Sequence, residues 1–351
     1  MSTGHPHRFL RACRREPVDC TPVWFMRQAG RYQPEYRALR ERYSILEICK
    51  TPDLAAEVTM LPVTQMNVDA AIIFGDLMLP LEGIGVDYDL QENVGPVIAS
   101  PIRSEEQVRA LREFEPRRDV PYLLEALTLV RRELDGRIPL IGFAGAPFTL
   151  AAYMIEGKGS RDYRQTKMFM LSRPDLWQRL MEHVTRTIVT YLRAQVDAGA
   201  QVVQVFDSWV GCLSPADYRD QVLPHVRALF SGLAGIGVPT IHFGTDTATL
   251  LQMMTEAGGD VVGADWRIDL AEAWRLVGPG RGIQGNLDPV ALFADFDVVA
   301  RRAAAILEAA GGRPGHIFNL GHGILPGTPV DTVRRLTDFV HERSAAIRAR
   351  G

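Results

Sequence analysis

The chain has 351 residues, 46% of them hydrophobic and 23% charged, with a formal net charge of -3. This is an ordinary globular composition with ample chain for a large core. The mild acidity excludes a dedicated nucleic-acid binder, which carries a basic excess.

Residues 1–20 read as an N-terminal extension with no apolar run long enough for a signal peptide. No later stretch approaches the roughly 18 apolar residues of a membrane span. Cys13, Cys20, Cys49 and Cys212 form no CxxC pair and no zinc-spaced His/Cys cluster. Reduced thiols in a soluble, cytoplasmic protein are therefore expected.

Eight short apolar runs recur in chain order: PVWFM (22–26), AAIIF (70–74), IPLIGF (138–143), VVQVF (202–206), VPTIHF (238–243), DVVGAD (260–265), GIQGN (282–286) and HIFNL (316–320). Each is rich in Val, Ile or Phe and bounded by turn residues, as strands of a parallel sheet buried on both faces are. Amphipathic stretches fill most gaps. Thr51-Pro52 predicts a capped helix start, with Leu54, Val58 and Leu61 on one face. Ser172 opens a longer helix through Leu176, Leu180, Val184, Ile188 and Tyr191, closed by Gly199. Ser214-Pro215 repeats the cap-then-proline start ahead of Val222, Val226 and Leu229, and residues 334–347 form a closing helix.

Strands alternating with helices predict an α/β fold. Eight of them favour one (β/α)8 TIM-barrel domain over residues 1–351, its active-site cleft at the C-terminal ends of the strands. An open doubly wound sheet is the alternative, weakened because no GxGxxG follows the first strand.

Polar residues gather just beyond these strands. Arg27 and Arg31, four apart around Gly30, follow the first run, where a helical turn would aim both guanidinium forks at a carboxylate or phosphate. Arg37, Arg40 and Arg42 read instead as a solvated basic helix start. Asp76 follows the second run; it is placed to accept N–H donors from a ligand, to bind a metal, or to cap a helix. His322 lies between Gly321 and Gly323, where backbone can approach a ligand closely. His242 reads as a core or rim residue, and Tyr153, by spacing alone, as core. Ser208 lacks a G-x-S-x-G elbow and suits hydrogen bonding better than nucleophilic attack. No phosphate-cradling P-loop is present.

WFMRQAGRYQPEYR, IIFGDLMLPLEGIG, GFAGAPFTLAAYMIEG, VFDSWVGCLSP, GNLDP and FNLGHGILPGTP follow one another from residue 24 to 329. Together they resemble the uroporphyrinogen decarboxylase family of heme biosynthesis. The resemblance implies a (β/α)8 barrel, a homodimer with facing clefts, and no metal or organic cofactor. It implies removal of the four acetate carboxyls of uroporphyrinogen III as carbon dioxide, giving coproporphyrinogen III. Carried over by position, Arg27, Gln28, Ala29, Gly30 and Arg31 would bind substrate, with Arg27 and Arg31 on its carboxylates. Asp76 would accept the pyrrole N–H groups as the central catalytic residue, beside Arg27. Tyr153, Ser208 and His322 would contact substrate around the cleft. Two departures are visible: Gly75 stands where the family commonly has Ser, and Phe148 where Trp is frequent.

Two other functions compete. Corrinoid-dependent methyltransferases resemble this family but hold zinc through a His-x-Cys pair and a later Cys. Here the pair is His242 and Gly244, and no cysteine follows Cys212, so that site cannot be built. A non-catalytic tetrapyrrole carrier would keep the arginines but have no need of Asp76.

Overall fold

Short runs that are apolar on both faces are stable only when covered on both sides. In the computed structural model, which describes residues 7–91 and 94–350, seven of the eight runs meet that condition in one parallel sheet. Its strands are β1 (Ala71–Ile72), β2 (Leu140–Gly145), β3 (Val202–Asp207), β4 (Thr240–Gly244), β5 (Val261–Gly263), β6 (Gly282–Gln284) and β7 (His316–Ile317). Neighbours in space are neighbours in sequence. A doubly wound sheet reverses its strand order part-way, so that alternative is excluded.

The first run departs from expectation. Residues 22–26 form no ladder strand; only Val23 bridges, in parallel, to Phe318 beyond β7. The reason is that side chains take its amides. Val23 N donates to Asp69 Oδ2 at 2.7 Å, Phe25 N to Gln28 Oε1 at 3.1 Å and Met26 N to Asn319 Oδ1 at 3.1 Å. On the other side, Asp69 N donates to the Val23 carbonyl at 2.7 Å. The eight-stranded ladder is thus seven strands plus a segment stapled between β7 and β1.

Helices fill the connections. Pro52–Gln65 starts where Thr51-Pro52 predicts, although the Thr51 side chain makes no capping bond. Two boundaries differ from the sequence expectation. Ser172 ends the helix Arg164–Ser172, its hydroxyl donating back to the Met168 carbonyl; the long helix is Pro174–Asp197, with Arg173 at its cap. The helix from Ser214 breaks at Val222, because Pro224 cannot continue it; Pro215–Gln221 and Leu223–Gly232 result. Gly199 follows the long helix with φ 118°, a left-handed turn that glycine allows. An antiparallel hairpin of Tyr88–Gln91 and Gly95–Ile98 was not expected; half the residues of its first strand are polar.

The N-terminal residues are no appendage. Helix Arg8–Cys13 buries Phe9, Ala12 and Cys13 against Ile141, Val202, Ile241, Val261 and Ile317. Those partners lie at the entering ends of their strands, so the helix floors the sheet. Asp69 locks it there, accepting from Arg8 Nη1 at 2.8 Å and His341 Nε2 at 2.6 Å. Inside the curl, Trp24 Nε1 donates to Gln284, and Gln284 to Gln204. Above this polar chain Phe143, Phe206 and Phe243 stack edge to face.

Candidate active site at the strand ends

The chain leaves the stapled segment 22–26 in a tight turn, not the helical turn expected. Arg27 holds φ 58°, a left-handed conformation that costs a non-glycine residue about 1–2 kcal/mol. The first helix here starts only at Pro34. Gln28 is fully buried: Oε1 accepts from Phe25 N, Nε2 donates to the Ala70 carbonyl at 3.0 Å, and its own carbonyl accepts from Tyr32. Gln28 therefore braces the loop, and in this conformation its side chain is not at the cleft surface. Ala29 and Gly30 are partly exposed, and Gly30 N donates to Gln33. Arg37 is not a freely solvated residue; it clamps the carbonyls of Arg31 and Tyr32 at 3.1 and 2.9 Å.

Arg27 and Arg31 are exposed. Among the described residues the ion pairs engage other arginines, such as Arg8, Arg118, Arg267 and Arg275, and leave these two unpaired. A free guanidinium beside a cleft is available to an anionic ligand.

Gly321 makes room for the Trp266 backbone and Gly323 for the Arg27 side chain. A Cβ on Gly323 would lie 2.5 Å from Arg27 Cδ, and one on Gly321 would lie 2.4 Å from Trp266 N. His322 is thereby wedged between Arg27 and the Trp266–Arg267 pair, where the Arg267 guanidinium stacks 4.0 Å from the indole centre. Burial, then the charges of Arg27 and Arg267, push the His322 imidazole down to about 4. It is neutral at pH 7.

Asp76 sits just past β1. Its Oδ1 accepts from Met78 N at 2.9 Å, an Asx turn rather than a helix cap, since the next helix, Leu79–Gly83, has Met78 at its cap. Burial pushes the carboxyl above its usual range, while the Met78 N–H and the Arg27 charge pull the other way. A Ser at Gly75 would bring its Cβ to 3.3 Å from Leu79 Cδ1, so the family departure relieves a tight contact without touching Asp76.

Tyr153 projects from helix Pro147–Glu156 and meets Trp209 edge to face at 5.8 Å. Burial, then the Asp76 charge, push its phenol up to about 12, so it remains a proton-bearing donor. Ser208 is partly exposed beside Trp209, its carbonyl held by the Thr245 hydroxyl. Arg27 influences Asp76, Tyr153 and His322 alike, which places those four groups in one region. Sequence reasoning missed Arg267; the signal was the Asp265-Trp266-Arg267 run at the end of the sixth apolar run.

The geometry is therefore one neutral imidazole, one phenol, two unpaired guanidinium groups and one desolvated carboxylate. The uroporphyrinogen decarboxylase (URO-D) family profile matches residues 5–343. The chain belongs to the uroporphyrinogen decarboxylase family. It is 58% identical over 334 residues to the uroporphyrinogen decarboxylase of Sorangium cellulosum, covering 95% of each chain. It is 57% identical to that of Roseiflexus sp., covering 96% of this chain and 99% of the other. It is 53% identical to that of Streptomyces coelicolor, with 96% and 94% covered. Among solved structures, a methyltransferase from Methanosarcina mazei superposes with a TM-score of 0.78 at 20% identity, over 96% of this chain and 98% of that one. At that identity the likeness is one of fold, and no helix among the described residues is long and apolar enough to cross a membrane.

Proposed function

We infer that this enzyme decarboxylates the acetate side chains of uroporphyrinogen III to give coproporphyrinogen III and carbon dioxide in porphyrin biosynthesis. The observation that carries this reading is Asp76, a desolvated carboxylate at the strand ends beside unpaired Arg27, in a chain of this family.

Each acetate –CH2–COO⁻ takes up one proton and leaves as –CH3 plus CO2. The bonding pair of the departing carboxyl needs an acceptor. Protonation of the pyrrole ring carbon makes the ring cationic, and the C–C pair then flows into it. The exocyclic methylene so formed takes a proton, and the ring carbon returns its own. Asp76 stabilises the ring cation from beneath its N–H groups, an interaction worth most in a water-poor cleft. Burial raises the Asp76 carboxyl, the Met78 N–H and the Arg27 charge oppose that rise, and the developing ring cation further favours the ionised form. Arg27 and Arg31 hold the remaining carboxylates and fix the ring's orientation. Tyr153, Ser208 and neutral His322 supply hydrogen bonds around the rim. A guanidinium is in general a poor proton donor, so water or the substrate's own carboxyl is the source proposed for the ring proton. His322, already deprotonated above about 4, is not the donor at neutral pH either.

On this reading residues 1–351 make one barrel domain, closed at the stapled segment 22–26. The cytoplasmic enzyme works as a homodimer with facing clefts, needs no cofactor, and binds neither nucleic acid nor membrane. Met168 and Leu171, 51% and 65% exposed on one helix, offer apolar surface for such pairing. Anaerobic incubation with uroporphyrinogen III, without added metal or cofactor, tests the activity. Chromatography of the oxidised porphyrins should reveal seven- to four-carboxyl products in sequence. Tight binding with no turnover would instead make the chain a tetrapyrrole carrier.

A further inference from the structure

Asp207 ends β3 on the face turned away from the curl's interior, towards the helices. It is completely buried. Oδ1 accepts from the Thr149 hydroxyl at 3.1 Å; Oδ2 has no protein partner. His242, on the adjoining β4, is equally buried, and neither ring nitrogen finds a protein partner. Its Nε2 lies 3.8 Å from Asp207 Oδ2, too far for a direct hydrogen bond. The Tyr218 hydroxyl, on the helix packed behind, is also buried and without a protein partner, and it feels the Asp207 charge. An unsatisfied buried polar group costs about 1–3 kcal/mol, so several converging at one carboxylate do not persist unaided.

The same carboxylate reaches the cleft. Thr149, which donates to Asp207, also accepts from the backbone N–H of Trp209 at 3.4 Å. Trp209 packs on Tyr153, and Ser208 lies between Asp207 and Trp209. None of Asp207, Thr149, His242 or Tyr218 has a part in the chemistry described above.

We propose that Asp207, His242 and Tyr218 form a sealed seat bridged by internal water, which through Thr149 positions the Ser208–Trp209 wall of the cleft. Asp207 and Thr149 are thus positioning residues; this functional half rests on the cleft being the tetrapyrrole site. Water can donate to Asp207 and accept from Tyr218 or His242 at once, spanning a gap that no direct bond closes.

Two measurements on the full-length enzyme test this. A high-resolution crystal structure should place ordered water within hydrogen-bond distance of Asp207 Oδ2 and of His242 Nε2 or Tyr218 Oη. Asp207 and His242 in direct contact, with no water between them, overturns the seat. Thr149→Val should raise KM for uroporphyrinogen about fivefold with kcat per folded molecule unchanged, and Thr149→Ser should restore KM. An unchanged KM, or a loss confined to kcat in proportion to the folded fraction, overturns the positioning role. If the wild-type enzyme does not turn over uroporphyrinogen, the functional reading fails by itself, and the diffraction result still decides the seat.

Discussion

At the entering end of the strands, Arg8, the Val23 amide and His341 all direct donors at one carboxylate, Asp69, and the helix Arg8–Cys13 seals what lies above it. At the exit end, among the described residues, Arg27 and Arg31 have no carboxylate partner and the Asp76 carboxyl accepts one amide, while Arg27 holds a left-handed backbone. The Asp69 carboxylate on the floor is fully engaged, whereas the mouth leaves its charged groups available. Stability and activity should therefore respond to different residues.

The largest effect belongs to the floor. Asp69→Ala leaves Arg8 to Asp19 alone and frees the Val23 amide and His341, and should destabilise the fold by about 3 kcal/mol in denaturant titration. Turnover per folded molecule should change little; a selective loss of turnover would break the division between the two ends. Asp76→Asn is the counterpart at the mouth. It should cut kcat by about 100-fold or more with a near-wild-type melting temperature, read by product chromatography and calorimetry. A smaller effect is expected from Gly323→Ala, whose methyl takes the space of the Arg27 side chain. About a tenfold fall in kcat/KM should follow, with Gly311→Ala, far along the chain in a helix cap, as a stability-only control.

Acid separates the ends more gently. His316 is buried in β7, and burial holds its imidazole at about 4 against 6.5 in the unfolded chain. The unfolded state takes up the proton first, so stability is lost as pH falls through 6.5 and levels off below about 4. His316→Gln should narrow the stability difference between pH 7.5 and pH 5.5 by about 1 kcal/mol. Smallest of all is the contrast between two serines. Ser214→Ala removes a true cap and should destabilise by about 1 kcal/mol, whereas Ser172→Ala should stay within about 0.5 kcal/mol.

The sheet was readable because seven runs are apolar on both faces, a pattern that needs no tertiary knowledge. The first run has the same composition, yet its amides go to nearby Gln28 and to Asp69 and Asn319, distant side chains that no local pattern announces. The helix break at Val222 is legible in Pro224, although the apolar spacing of Val222, Val226 and Leu229 runs through it. Arg27, Asp76, Tyr153 and His322 could be named together only from the family resemblance, and in the structure the Arg27 charge reaches the other three; their roles belong to the proposed function. Spacing could not tell that Gln28 turns inward, that Gly321 and Gly323 make room for Trp266 and Arg27, or that Arg267 flanks His322. Each depends on residues tens to hundreds of positions apart.

The stapled segment has an implication for how the enzyme matures. Arg27 is the next residue after Met26, whose amide is the last of the three staples. Joining the two margins of the sheet and aiming the guanidinium are consequently one event in folding. A molecule whose margins have not met has no formed arginine loop and cannot grip a polycarboxylate, so incomplete folding is silent rather than promiscuous.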